Sequence, residues 1–197
     1  MNFLAHLYLS GDNPPIKVGN FIGDFVKGKN IEEQLGSEIA KGVLLHREID
    51  WFTDHHPIVK QSKDRLRAKY KHYSGVITDI YFDHFLARNW DRFSEQILPD
   101  FAEDSYSLIQ QHDSILPSEV KYMMTHMIRG NWLVNYSKIE GIHRALSGMA
   151  HRAKFDSKME EASEELQKNY TDFEGDFFSF FPELKKFATD WLTEKIN

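Results

Sequence analysis

His46, Asp50 and Asp54 follow one another at four-residue intervals, and Asp79 and Asp83 repeat that interval with His84 directly behind. On an α-helix a four-residue step turns a side chain by about 40°, so each set shares one face. His6, in Phe3-Leu4-Ala5-His6-Leu7, adds an imidazole from an earlier apolar stretch. Asp24 adds a carboxylate from Phe21-Ile22-Gly23-Asp24-Phe25-Val26, and Asp83 lies in Ile80-Tyr81-Phe82-Asp83-His84-Phe85-Leu86. Polar groups embedded in apolar helices must find partners, because unpaired buried charge is very costly. Four helices that each offer an acid or imidazole to one interior can satisfy each other by sharing a cation, as carboxylate- and histidine-ligated bundles do.

Each member also has a plainer reading. His and Asp pairs four apart are common on solvated helix faces. Asp54, in Thr53-Asp54-His55-His56-Pro57, reads equally as a helix end. Arg47, close to Asp50, reads equally as half of a salt bridge. It is the conjunction that points to a metal site. His112-Asp113 has no second acid in helical register and reads as structural or exposed, as do His55, His56, His72 and His126.

Composition narrows the chemistry. The chain contains no cysteine, which excludes disulfides, zinc–thiolate sites, iron–sulfur clusters and thiol nucleophiles. A bound metal would have to take imidazole, carboxylate, carbonyl or water ligands, a set that suits Mn, Fe, Zn or Mg. The formal charge of −6 argues against general nucleic-acid binding. Met1 to Leu9 lacks a basic leader segment and no apolar run is long enough for a bilayer, so the expected setting is cytoplasmic, without a membrane partner.

The elements that must position these groups are helical throughout. Gly and Pro fall between apolar-periodic blocks, and no run alternates as a half-buried strand would. Helices are expected over about 2–10, 16–26, 31–54, 58–72, 76–90, 95–112, 118–136, 139–151 and 156–180, with a last one after Pro182. Gly36 and Gly42 are weak points in the third. The 197 residues, 41% hydrophobic, fit one all-α domain, a bundle of about eight to ten helices.

At these residues the chain resembles the acyl carrier protein phosphodiesterases. The likeness runs through Met-Asn-Phe-Leu-Ala-His at 1–6, Gly23-Asp24-Phe25-Val26-Lys27-Gly28 and Gly42-Val43-Leu44-Leu45-His46-Arg47-Glu48-Ile49-Asp50. It continues in Thr53-Asp54, Ile77-Thr78-Asp79, Asp83-His84-Phe85-Leu86-Ala87-Arg88-Asn89-Trp90 and Gly148-Met149-Ala150. The resemblance implies an atypical HD-domain-like helical fold and a divalent metal, Mn preferred with Mg or Fe as alternatives. It also implies hydrolysis of holo acyl carrier protein to the apo form and 4'-phosphopantetheine. One departure is that Asp83-His84 reverses the contiguous His-Asp order of HD proteins.

Under that resemblance, His46, Asp50, Asp83 and Asp24 become the expected metal ligands, with Asp79 next. His84 or His6 would be a supporting group or general acid, and Arg47 or Lys27 would hold the phosphate. Between Lys60 and Lys71 six cations face one acid, and Lys60, Lys63, Arg67 and Lys71 form a helical stripe. The stripe reads as an ordinary solvated face or, given an acidic carrier protein as substrate, as its docking face. Two other readings of the chain are an HD-type phosphohydrolase for a nucleotide or other small diester, and a non-catalytic helical binding module.

Overall fold

The structure is a computed structural model that describes residues 1–196, with side chains through Lys195. All its regular elements are helical, and no strand occurs among the described residues. The chain forms α1 (Phe3–Tyr8), α2 (Pro14–Ile22), a 3-10 turn (Gly23–Phe25), α3 (Ile31–Leu35), α4 (Ser37–His55), α5 (Pro57–Tyr70) and α6 (Ser74–Arg88). It continues with α7 (Leu98–Gln111), α8 (Ser118–Arg129), α9 (Trp132–Asn135), α10 (Ile139–Arg152), α11 (Ala162–Lys168) and α12 (Tyr170–Ile196). No helix of the described residues is long and apolar enough to cross a membrane.

Backbone chemistry sets several boundaries. Asn13 caps α2 by accepting from the Ile16 N–H at 3.2 Å, and Pro14 and Pro15 occupy positions whose N–H groups need no partner. His56 caps α5 in the same way ahead of Pro57. The expected helix over 31–54 divides at Gly36, whose φ of 79° a side chain would resist. The expected helix over 118–136 divides at Gly130-Asn131, and the one over 156–180 divides at Asn169. Pro182, expected to start the last helix, instead lies inside α12. A proline there removes one ladder bond, but buried Phe173, Phe177, Phe180 and Phe181 before it and Leu184 and Ala188 after it hold both halves of α12 to the core.

α6 is the central element: from Ile80 to Ala87 every residue is buried. α12 lies across it, with Phe177 meeting Phe82 and Phe85 ring to ring. Asp176 ties α12 to α5 through Arg65, Ser62 (2.6 Å) and Gln61 (3.1 Å).

The crossing of α2 and α4 matters most for the candidate site. Gly42 is no weak point: its Cα faces Gly19, and a Cβ on Gly42 would run into the Ile16 carbonyl oxygen. Backbones therefore touch where side chains would normally separate two helices. Gly42→Ala is expected to cost about 1–3 kcal/mol through overpacking. That corresponds to a fall of roughly 2–12 °C in melting temperature for a chain of this size. Unchanged melting would show that the helices can separate freely.

Candidate metal centre

Three segments meet at one point below the surface. α1 supplies His6, the 3-10 turn supplies Asp24, and α4 supplies His46 and Asp50. The His6 and His46 rings stack with centroids 4.0 Å apart and planes 17° from parallel. Gly23 makes room for this, since a Cβ there would strike the His46 ring.

Asn20 orients both rings. The His6 Nδ1–H donates to the Asn20 side-chain oxygen at 2.8 Å, and the His46 Nδ1–H donates to the Asn20 backbone carbonyl at 2.8 Å. The Asn20 amide in turn donates to the His6 carbonyl and to Ser10 Oγ, each at 2.9 Å. These bonds require a proton on each Nδ1, so that in the neutral form of each ring Nε2 presents a lone pair to the acids. His6 Nε2 lies 3.2 Å from Asp50 Oδ1, and His46 Nε2 lies 3.2 Å from Asp50 Oδ2 and 3.2 Å from Asp24 Oδ1. His6 Nε2 is buried and, despite that distance, makes no aligned hydrogen bond.

A lone pair opposed to a carboxylate oxygen is repulsive unless a proton or a cation lies between them. Burial works against charge on His46, but Asp24 and Asp50 outweigh it and push the imidazole up to about 9. Burial and the neighbouring His46 push His6 down. Asp50, against the effect of its own burial, is held far below the usual carboxylate range by both imidazoles and the Met1 amino group. The hydrogen bond from His46 pulls Asp24 down as well. One proton serves one ring at a time, whereas one cation serves both. Donor atoms of His6, His46 and Asp50 lie within 4.8 Å of one another, close enough for a single ion. Two imidazole nitrogens and a carboxylate form a donor set of the kind that divalent ions such as Mn, Fe or Zn accept, and Asp24, outside that set with a side chain 67% exposed, lies on its solvent side.

Beside this group lies a cleft of about 240 Å³ lined by Asp24, Asp50, Asp54, Asp79, Phe3 and Met149, among others. Asp79 enters it through the Met1 α-amino group, which lies 3.1 Å from Asp79 Oδ1 and 3.6 Å from Asp50 Oδ1. Asp54 pairs with Lys63 at 2.6 Å on the rim.

Asp83 and His84 stand apart from the cluster. Both Asp83 oxygens accept backbone N–H groups at the start of α1, from Leu4 at 2.8 Å and from Asn2 and Ala5 at 3.3 Å. Asp83 thus caps a helix that has no side-chain cap of its own. His84 has both ring nitrogens engaged, Nδ1 with the Tyr136 carbonyl at 2.7 Å and Nε2 with the Tyr170 hydroxyl at 2.9 Å.

Arg47 is exposed on α4 and donates to the Val26 carbonyl at 3.3 Å, near the exposed Lys27. In the α5 stripe, Lys60 and Arg67 both pair with Asp64, and Lys71 is exposed just past the helix end. Neither Asn20 nor Gly23 was singled out from sequence. Asn20 carried a signal nonetheless, a lone amide inside Val18-Gly19-Asn20-Phe21-Ile22.

Comparison with known proteins adds a family to this geometry. The model of the family described as acyl carrier protein phosphodiesterase matches residues 1–184. A relative of that name from Photorhabdus laumondii subsp. laumondii is 33% identical over 189 residues, which cover 95% of each chain. One from Yersinia enterocolitica is 32% identical, over 96% of this chain and 98% of its own. One from Escherichia coli O6:H1 is 30% identical over the same shares. No solved structure matches. The chain belongs to the acyl carrier protein phosphodiesterase family.

Proposed function

We propose that this protein is a divalent-metal-dependent phosphodiesterase that converts holo acyl carrier protein to apo protein and 4'-phosphopantetheine. The observation that carries this reading is the pair of imidazoles pinned through Nδ1, with both Nε2 atoms aimed at Asp50 beside an open acidic cleft. The names of the relatives supply the substrate.

His6, His46, Asp50 and Asp24 would hold the ion, which here enlarges the role first given to His6. A bound divalent ion, Mn by resemblance, supplies Lewis acidity toward phosphoryl oxygen and a lowered pKa for a coordinated water. The chain's own residues do the rest. Asn20 holds the two rings in register, so the site needs little reorganisation when loaded. Asp79 and the Met1 amino group shape the cleft floor beside Asp50. Arg47 and Lys27 offer cationic groups to a phosphate near the 3-10 turn, where guanidinium geometry favours two parallel bonds. Asp83 and His84, by contrast, support the site through α1 and through Tyr136 and Tyr170. HD-likeness would then lie in helices pooling His and Asp around a metal, not in the Asp83-His84 pair.

The carrier protein is proposed to dock along α5. Lys63 marks the approach, because its partner Asp54 lines the cleft. The pairing of Lys60 and Arg67 with Asp64 weakens the stripe's field without abolishing it. Joint reversal of Lys63 and Arg67 to Glu is expected to raise KM for the carrier about tenfold and flatten its salt dependence. Unchanged KM and salt response would return α5 to ordinary surface.

The reaction itself is tested by incubating the metal-loaded protein with holo acyl carrier protein and reading intact mass. Loss of the phosphopantetheine mass, prevented by chelator, is the expected result. No loss with folded, Mn-loaded protein would reject the reading in favour of a small phosphodiester substrate.

A further inference from the structure

Phe3 and Met149 line two hollows at once. One is the acidic cleft; the other is a groove of about 920 Å³ whose further lining includes Phe25, Tyr122, Met123 and Trp132. A third hollow of about 160 Å³ shares Gly130, Trp132, Met149 and Arg152 with the groove and runs on between α9 and α10. The three are neighbours through these shared residues, and Met149 lines all of them. Their character differs: the cleft carries four aspartates, whereas the groove is walled mainly by methionine and aromatic side chains, with Glu119, His126, Arg129, His151 and Arg152 also in its lining. Tyr122, 70% exposed, stands at the groove's edge. A hollow of this size and lining matches a site for an elongated, mostly apolar small-molecule moiety.

This inference rests on the phosphodiesterase reading and asks where the two halves of the diester lie once its phosphorus sits at the acids. One ester oxygen belongs to a serine on a folded helical protein, far too large to enter a groove of about 920 Å³. The other leads into a thin, flexible chain ending in a thiol. A bare thiol gains little from Met123, Trp132 and Met149, but an acyl chain attached to it gains from every methylene removed from water.

We propose that the groove seats the pantetheine arm together with an acyl chain on its thiol, and that Met123, Trp132 and Met149 set the chain length accepted. The acylated carrier is then a better substrate than the free-thiol form. Its protein body stays outside, toward α5, while the arm crosses the Asp50 cleft between Phe3 and Met149.

The test combines a binding and a kinetic measurement on the metal-loaded protein. Calorimetry with S-octanoyl-pantetheine and with pantetheine should show at least about tenfold tighter binding of the first. Met123→Trp, which fills the groove, should lower the ratio of kcat/KM for octanoyl over free-thiol carrier by at least about tenfold. Met123→Ala, which widens it, should shift preference from octanoyl toward dodecanoyl carrier and serves alone if the Trp variant does not fold. Equal affinity for the two pantetheines, or chain-length preferences unmoved in folded variants, overturns the groove. Tenfold tighter binding of the octanoyl arm by a protein that releases phosphopantetheine from no carrier supports the groove and rejects the phosphodiesterase reading.

Discussion

His46→Ala is expected to lower turnover of holo acyl carrier protein by at least about a thousandfold, equivalent to about 4 kcal/mol of barrier. The metal retained after dialysis should fall with it. His46 is the member of the cluster nearest to two carboxylates at once, 3.2 Å from both Asp24 and Asp50, so its removal leaves those acids facing each other with no shared donor. Asn20→Ala provides the graded companion. It frees the His6 ring from its 2.8 Å bond but leaves the backbone carbonyl that holds His46, so metal affinity should weaken about 10- to 100-fold without vanishing. Metal content by elemental analysis, with circular dichroism to confirm folding, checks both. A folded His46→Ala protein that binds Mn as tightly as the wild type would remove the imidazole pair from the proposed site.

Asp83→Ala should act on stability first. The side chain is fully buried and accepts from the backbone N–H groups of Asn2, Leu4 and Ala5 at the start of α1, so truncation strands those donors. Burial pushes the Asp83 carboxyl up to about 7, so the cap is not fully ionised. Stranding buried backbone donors of this kind costs about 1–3 kcal/mol, or a fall of roughly 2–12 °C in melting temperature. From sequence alone the same substitution is expected to abolish turnover in a folded protein, because Asp83 reads there as a metal ligand. Melting of the metal-free protein separates the two roles. A lost cap lowers that melting temperature, whereas a lost ligand leaves it unchanged and weakens only metal binding. Metal binding should also suffer in the capped reading, since α1 carries His6, but only in proportion to the fraying of that helix.

The α5 stripe shows how a local pattern can hold while its surroundings alter its weight. The spacing of Lys60, Lys63, Arg67 and Lys71 survives in the helix. Asp64, the single acid among them, neutralises two of the cations, and Asp54 from α4 takes a third. Only the pairing with Asp64 could be read from within the segment. Asp54 lies across a helix boundary marked by His56 and Pro57, and its contact with Lys63 depends on how α4 and α5 fold back on each other.

The helical class, most element positions, the absence of thiol chemistry and the identity of His46 and Asp50 as a facing pair were legible in the sequence by itself. Each depends on residue type and on spacing within one helix, where backbone geometry converts sequence distance directly into direction in space. What only the tertiary structure decided were the partners drawn from different helices. A carboxylate inside an apolar helix announces that it needs a partner, but not whether that partner is a cation or the open end of another helix. Asp83 found the second, on α1. His6, which looked like a supporting group, reached Asp50 because two glycines let α2 and α4 touch, bringing Asn20 close enough to aim both imidazoles. The acidic cleft and the apolar groove met in the same way: Phe3 and Met149 are far apart in the chain, and only packing makes them neighbours.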